Sequence, residues 1–160
     1  TVQTTANISG SLFVAMTGDI YAAHQTSGQV YRWSVSNSSS TVVAATFNSS
    51  CSSIFIDMNN SLYCSMGAMN RVVRQVNVVV AGTGVNGSAS NQLRSPAGIY
   101  VDKGFNLYVA DMGNDRIQKF SYGQLNGTTV AGNGSVGTIS LNRPQAVVLD
   151  GDGYLFIVES

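Results

Sequence analysis

The chain repeats one sequence unit along its 160 residues, and this repeat restricts the fold more than any other feature. An aromatic mark, usually preceded by Leu or Ile, recurs at Tyr21, Tyr63, Tyr108 and Phe156, with spacings of 42, 45 and 48 residues. Repeats of this length are typical of propeller blades and of helical arrays. Inside each unit the apolar residues alternate or form short blocks rich in Val, Ile and Tyr, which indicates strands and argues against helices.

Each unit is therefore predicted to form a four-stranded antiparallel blade of a β-propeller, which gives an all-β fold. In the third unit we expect strands at Gly98–Val101, Leu107–Ala110, Arg116–Phe120 and Thr128–Ala131. Gly104 and Gly153 lie in the turns after the first strand of their units, where a short hairpin favours a positive φ.

The blades are expected to belong to a single domain over residues 1–160. The predicted units cover residues 9–46, 51–83, 96–132 and 144–160. The first three units are complete blades, and the fourth holds only the two inner strands of a blade. Residues 1–6 are predicted to form the outer strand of a preceding or closing blade.

Three motifs of the third unit resemble a known repeat. They are Pro-Ala-Gly-Ile-Tyr-Val-Asp from Pro96, Asn-Leu-Tyr-Val-Ala-Asp from Asn106, and Asn-Asp-Arg-Ile-Gln-Lys-Phe from Asn114. These motifs are similar to the NHL repeat, and the resemblance extends over essentially the whole chain. It implies a β-propeller, in this family typically one with six blades. It implies no particular chemistry, because one fold carries many functions.

An apolar stripe runs through the inner strands of all four units, and we expect it to pack between neighbouring blades. Its members are Phe13, Tyr21, Phe55, Tyr63, Tyr100, Val101, Tyr108, Val109, Val148 and Phe156. Trp33 and Phe120, at the ends of their strands, are expected to cover the outer part of the same interfaces.

The incomplete fourth unit leaves three arrangements open. The chain is an excerpt of a larger propeller, or it closes as a small ring, or it has open edges that another copy covers. Exposed strand edges rich in Val and Ile favour pairing with a further chain. Head-to-tail pairing of this kind builds rings or filaments.

Seven Asn-x-Ser/Thr triplets without Pro are candidate N-glycosylation sites. Chance would supply roughly three in a chain of this composition. All lie in or beside predicted turns, where a sugar leaves the strand pairing intact, although Asn, Gly and Ser are also ordinary turn residues. The excess favours a secreted protein with covalent N-glycans, attached at Asn7, Asn37, Asn48, Asn59, Asn86, Asn126 and Asn133.

Cys51 and Cys64 are the two cysteines of the chain. We predict a disulfide between them, as expected for an extracellular protein; the alternative is two buried thiols. A turn centred on Asn59 and Asn60 would place Cys64 opposite Phe55, so the segment before Ile54 must fold back to bring the two cysteines together.

Charge and hydropathy exclude two classes of partner. Eight basic side chains balance eight acidic ones, and no basic cluster suits nucleic acid. No run of eighteen apolar residues is present, so no membrane span is predicted.

No catalytic, cofactor or metal site is predicted. His24 is the one histidine and stands at a strand end, without a partner to orient it as a base. Asp57, Asp102 and Asp150 each follow the first strand of a unit, where Asp commonly accepts turn N–H groups. Lyases that resemble the NHL family hold a metal through several histidines, a set that this chain does not contain.

These observations predict a non-enzymatic extracellular glycoprotein, either a self-assembling structural protein or a scaffold for another extracellular protein. The alternative is an excerpt of a six-bladed propeller with ligand-binding or metal-dependent lyase activity.

Overall fold

The computed structural model describes residues 11–24, 26–34, 37–75, 78–135 and 139–160, with backbone alone for residues 37–44. Two 3-10 turns, Gly67–Met69 and Met112–Asn114, are the helical elements of this part of the chain. The strands are β1 (Leu12–Val14), β2 (Ile20–Ala23), β3 (Gln29–Ser34), β4 (Asn37–Thr46), β5 (Ser53–Ile56), β6 (Leu62–Met66), β7 (Arg71–Arg74), β8 (Val78–Ala81), β9 (Pro96–Val101), β10 (Leu107–Asp111), β11 (Arg116–Phe120), β12 (Thr128–Gly132), β13 (Pro144–Leu149) and β14 (Leu155–Glu159).

The strands form four antiparallel sheets in which neighbours in sequence are neighbours in space. The orders are β1-β2-β3-β4, β5-β6-β7-β8, β9-β10-β11-β12 and β13-β14. We call these sheets blades 1 to 4. The predicted fold, three complete four-stranded blades and part of a fourth, is confirmed. The strand predicted in residues 1–6 lies outside the described residues.

The turn after the first strand is built in the same way in three blades. Asp102 Oδ1 accepts hydrogen bonds from the N–H groups of Gly104 and Asn106, at 2.8 and 2.9 Å. Asp57 and Asp150 make equivalent pairs of bonds in their own turns. The predicted turn role of these aspartates is confirmed.

The positive φ of this turn falls on the third residue after the aspartate. That residue is Asn60 in blade 2 (φ 58), Phe105 in blade 3 (φ 61) and Gly153 in blade 4 (φ 88). The prediction for Gly153 is confirmed, and that for Gly104 is wrong. The N–H of Phe105 donates to the Asp102 carbonyl, so Lys103 and Gly104 are the central residues of the turn and the left-handed residue follows them.

Aromatic side chains connect successive blades near the centre of the molecule. The rings of Phe13 and Phe55 lie 4.8 Å apart between centroids, and those of Phe55 and Tyr100 lie 5.3 Å apart. Contacts at these distances add to the free energy gained from burial. The expected packing between blades is confirmed for blades 1, 2 and 3, and it also includes Phe120, which is 1% exposed.

Blade 4 differs, because one of its faces has no neighbour among the described residues. Val148 and Phe156 are 48% and 58% exposed, and Val158 on the second strand is 61% exposed. The prediction that Val148 and Phe156 pack between blades is therefore wrong for the described residues. At the opposite end of the row, Leu12 and Val14 of blade 1 are also exposed.

A buried ion pair fixes the loop that leads from blade 2 into blade 3. Arg116 Nε donates to Asp111 Oδ2 at 2.7 Å, and the guanidinium also donates to the carbonyls of Ser88, Ala89 and Gln92. Asp111 Oδ1 accepts from the N–H of Arg94. Charge-assisted bonds of this kind are stronger than neutral ones, and together they hold the entry to β9.

A glycine lies at the end of the outer strand in blades 2 and 3, Gly82 directly after β8 and Gly132 as the last residue of β12, and each is close to the backbone of its own blade. Gly82 and Gly132 have φ of +77° and +82°. A Cβ on Gly82 would overlap the Asn70 carbonyl oxygen, and one on Gly132 would overlap the Asp115 carbonyl oxygen. Both positions therefore require glycine for conformation and for space.

We expect Gly82→Ala to lower the free energy of unfolding by about 3 kcal/mol, because left-handed strain and backbone overlap add together. Gly123→Ala is the matched control, since Gly123 has φ +75° and open space around it. This control is expected to lose about 1 kcal/mol, from conformation alone. Urea unfolding of both variants measures the difference, and equal losses would contradict the close approach at Gly82.

Candidate functional site

The innermost strands of the four blades begin beside one another and line a cavity of about 640 Å³. We call this cavity the funnel mouth. Its wall includes Ser11 before β1, Ser50 in the segment before β5, Ser53 at the start of β5, Gly98 in β9 and Gln145 in β13. Every blade thus contributes the entry to its first strand.

Small residues allow the inner strands to approach closely at this point. A Cβ on Gly98 would lie 2.6 Å from the Gln145 carbonyl oxygen and 2.7 Å from the Ala146 Cα. Because real Cβ contacts are longer than this, a glycine is needed for β9 and β13 to keep their spacing. The glycine therefore sets the width of the funnel mouth on the side of blade 4.

Serine hydroxyls connect the inner strands of successive blades. Ser11 Oγ accepts from the N–H of Ile54 at 3.2 Å, which connects blade 1 to blade 2. Ser65 Oγ accepts from the N–H of Ser53 at 3.0 Å and donates to the Ala97 carbonyl at 2.5 Å, which connects blade 2 to blade 3. These bonds hold the wall of the cavity in place.

Other polar groups of the wall remain available. The hydroxyls of Ser50 and Ser53 and the amide of Gln145 make no hydrogen bond to the described part of the chain. No described residue that lines the cavity carries a charge. Cys51, which also lines it, has no free thiol because it is bonded to Cys64. The arrangement therefore offers neutral hydrogen-bond donors and acceptors to a ligand.

A disulfide anchors the segment that carries Ser50 and Ser53. Cys51 and Cys64 are bonded, with their Cα atoms 5.3 Å apart. The N–H of Ser52 donates to the Ser65 carbonyl at 2.7 Å, and this bond folds the segment back against β6. The expectation that Cys64 faces Phe55 is wrong, because the observed register pairs Cys64 with Ile54. The longer turn, with Asn60 in the left-handed region, accounts for this shift of one residue.

The acidic and histidine side chains at the ends of the second strands have local structural partners. His24 Nδ1 lies 3.4 Å from the backbone nitrogens of Thr26 and Ser27 and accepts from that turn. Glu159 Oε2 accepts from the N–H of Asn142 at 2.7 Å, as Asp111 does from Arg94. Within the described ranges, no three His, Cys, Asp or Glu side chains are grouped in a way that could hold a metal ion.

The candidate glycosylation sites are on the surface wherever their side chains are described. The exposed acceptors are Asn48, Asn59, Asn86, Asn126 and Asn133. Asn37 begins β4 and its side chain is not described, and Asn7 lies outside the described residues. Exposure is needed for attachment of a glycan, and the attachment itself stays a prediction. No helix in the described ranges is long and apolar enough to cross a membrane.

Sequence reasoning missed the free polar groups of the funnel mouth. Ser53 and Gln145 belong to no binding or catalytic motif, and Ser is abundant throughout the chain. The signal that could have found them is their place in the repeat, because each stands where an innermost strand begins. Strand starts of this kind meet around the axis of a propeller.

The fold and the cavity define this chain as a β-propeller protein. No protein-family model matches the chain, and no curated protein matches it either. The assignment to the NHL family in particular therefore stays a prediction.

Solved structures of other β-propeller proteins match the chain. An auxiliary nutrient-binding protein from Bacteroides thetaiotaomicron is 21% identical with a TM-score of 0.70, over 89% of this chain and 43% of that one. A virginiamycin B lyase from Staphylococcus aureus is 12% identical with a TM-score of 0.63, over 94% of this chain and 48% of that one. A gluconolactonase from Xanthomonas campestris is 13% identical with a TM-score of 0.65, over 92% of this chain and 55% of that one. The chain spans about half the length of these structures.

These matches correct one prediction. We predicted a chain without enzymatic activity, and this prediction is wrong because enzymes, a lyase and a gluconolactonase, are among the solved structures that share its fold. At these low identities the likeness shows the fold, and the activity of this chain has to be argued from its own site.

Removal of the disulfide is expected to destabilise the wall of the funnel mouth. We expect the double variant Cys51→Ala/Cys64→Ala to lose about 3 kcal/mol of unfolding free energy, because the unfolded chain gains freedom. Urea unfolding with and without dithiothreitol measures the loss. The wild type should weaken under reductant while the double variant stays unchanged, and a wild type insensitive to reductant would show that the bond does not form.

Proposed function

We propose that this chain is a segment of a secreted, N-glycosylated β-propeller that binds a small neutral polar ligand at the funnel mouth. The observation that carries this proposal is that the hydroxyls of Ser50 and Ser53 and the amide of Gln145 make no hydrogen bond to the described part of the chain, in a cavity wall where no described residue is charged. Neutral groups of this kind recognise hydroxyl and amide groups of a ligand. A cavity of about 640 Å³ also lies within the size range of small-molecule sites.

Two further observations support the proposal. A solved structure of the same fold is named as an auxiliary nutrient-binding protein, so this architecture supports ligand binding elsewhere. The disulfide and the exposed acceptor asparagines are compatible with an extracellular protein.

The complete propeller is proposed to contain further blades. The chain spans about half the length of the solved structures that it matches. The exposed apolar faces at Val158 in blade 4 and at Leu12 in blade 1 are suited to contact with additional blades. Such blades would close the ring and complete the wall around the cavity.

A second candidate function is a self-assembling or protein-interaction scaffold. The same two apolar faces favour it, because a head-to-tail contact would bury Val158 of one copy against Leu12 of another. In this arrangement a second copy of the chain takes the place of the additional blades.

We expect neutral polar probes to bind at the funnel mouth with contacts to Ser53 and Gln145. Maltotriose and N-acetyl-glycyl-glycine amide, added to the ¹⁵N-labelled protein, should shift the backbone amide signals of residues around the cavity. Ser53→Ala and Gln145→Ala should each weaken binding about fivefold to tenfold, since each removes one hydrogen bond. Ser90→Ala, an exposed serine outside the cavity, is the control. Shifts confined to other surfaces, or affinity unchanged in both variants, would contradict the proposal.

The self-assembly candidate predicts association that depends on the exposed face of blade 4. Sedimentation velocity at rising concentration should then show dimers or longer species, and Val158→Glu should return the chain to monomers by placing a charge in the contact. Val85→Glu is a matched control, because Val85 is 60% exposed on a loop away from this face. A wild type that stays monomeric throughout would exclude this candidate and leave the binding proposal untouched.

A further inference from the structure

A second cavity lies between blades 2 and 3, at the end of the molecule opposite the funnel mouth. Its volume is about 350 Å³. The end of β7, the strand β8 and the loop between β11 and β12 enclose it. We call it the inter-blade groove and define it by Arg74, Val79, Leu107, Tyr122 and Leu125. Both blades that form it are complete in this chain, so the groove does not depend on further blades.

The wall of the groove is mainly apolar and partly open to water. Leu107 and Phe120 form its buried floor. Val79, Tyr122 and Leu125 form its sides, and they are 37%, 61% and 56% exposed. Side chains of this size gain free energy when an apolar body covers them, at about 25 cal/mol per Å² of apolar surface. The groove therefore favours a ligand with an apolar chain or ring.

One positively charged side chain, that of Arg74, lies in this apolar wall. The Arg74 guanidinium lies 5.9 Å from the centroid of the Tyr122 ring. Hydrogen bonds with the hydroxyls of Tyr122 and Tyr63 raise the pKa of Arg74, so it stays charged. The ion pairs of the described residues are Arg32 with Asp19 and Arg116 with Asp111. Among those residues, Arg74 has no carboxylate partner.

Tyr63, one of the two tyrosines beside Arg74, also has an acidic partner. Tyr63 donates its hydroxyl hydrogen to Asp57 Oδ2 at 3.1 Å. Burial and the nearby Asp57 carboxylate raise the pKa of Tyr63 to about 12. The phenol therefore stays protonated at neutral pH and keeps donating to Asp57, which leaves its oxygen free to accept from Arg74. The Tyr63 hydroxyl beside Arg74 is thus held by Asp57 before a ligand arrives.

Equivalent cations in the other complete blades are arranged differently. In all three complete blades a basic residue on the third strand pairs with a tyrosine on the second strand. The pairs are Tyr21 with Arg32, Tyr63 with Arg74, and Tyr108 with Lys119. Arg32 is neutralised by Asp19, and Lys119 lies over the ring of its own partner, 5.4 Å from the Tyr108 centroid. Arg74 lies instead over a ring of the following blade, where it borders the groove. The cation of blade 2 thus faces a space between blades.

We propose that the inter-blade groove binds a small amphipathic anion, with its carboxylate on Arg74 and its apolar chain or ring against Val79, Leu107 and Leu125. A guanidinium offers several N–H donors to a carboxylate, and the adjacent apolar wall limits competition from water. This site is separate from the funnel mouth in position and in ligand chemistry. It does not rest on the proposed function.

Binding of 4-phenylbutyrate and of its uncharged amide tests this proposal. Isothermal titration calorimetry on the full chain should show the carboxylate binding about tenfold more tightly than the amide, because the charged ligand gains the bond to Arg74. Arg74→Gln should remove this difference by weakening only the carboxylate. Lys119→Gln, the equivalent cation of blade 3, is the matched control and should leave both affinities unchanged.

A second variant tests whether the anion lies against the side of the groove formed by Leu125. Leu125 is exposed, so Leu125→Asp should fold normally, and it should weaken 4-phenylbutyrate at least tenfold by adding a negative charge to the wall. Val158→Glu, on the open face of blade 4, should have no effect. The proposal is overturned if carboxylate and amide bind equally, if Arg74→Gln or Leu125→Asp leaves the carboxylate affinity unchanged, or if Val158→Glu abolishes binding.

Discussion

Burial between neighbouring sheets is the constraint on which this structure depends. A blade has two faces, and each is removed from water only when another blade covers it. Phe55 of blade 2 shows this directly, because its ring contacts Phe13 on one side and Tyr100 on the other. Blade 4 shows the opposite case, since Val158 remains exposed on the face without a neighbour. Stability is therefore shared along the row of blades and does not reside in any one of them.

The same stacking produces two sites of different chemistry at the two ends of the blades. Where the innermost strands begin, their polar ends converge, and Ser53 and Gln145 line a cavity whose described residues carry no charge. At the opposite end, the inter-blade groove lies between β8 of blade 2 and the β11–β12 loop of blade 3, and Arg74 borders it. Neither site belongs to a single blade. Each exists because adjacent blades are held at a fixed spacing by the packing between them.

The sequence predicted the blades well because the information for them is local. The alternation of apolar residues defines strands, and Asp102 with its equivalents defines the turns by bonds to residues two and four positions later. The funnel mouth could not be predicted in the same way, since Ser53 and Gln145 are 92 positions apart and meet only through the convergence of strands. The exposure of Phe156 could not be predicted either, because the apolar pattern of a strand does not show whether a neighbouring blade covers it. The absence of a catalytic motif does not exclude enzymatic activity, since enzymes share this fold.

Hydrogen–deuterium exchange, resolved by residue, tests most directly whether burial between blades stabilises this chain. Strand β10 has neighbours on both faces and is buried along its whole length, whereas β13 and β14 are covered on one face. All three strands make antiparallel hydrogen bonds, with one register irregularity in each of the pairs β9-β10 and β13-β14. If packing between blades determines local stability, the bonded amides of β10 should exchange far more slowly than those of β13. Equal protection of the two strands would contradict the account.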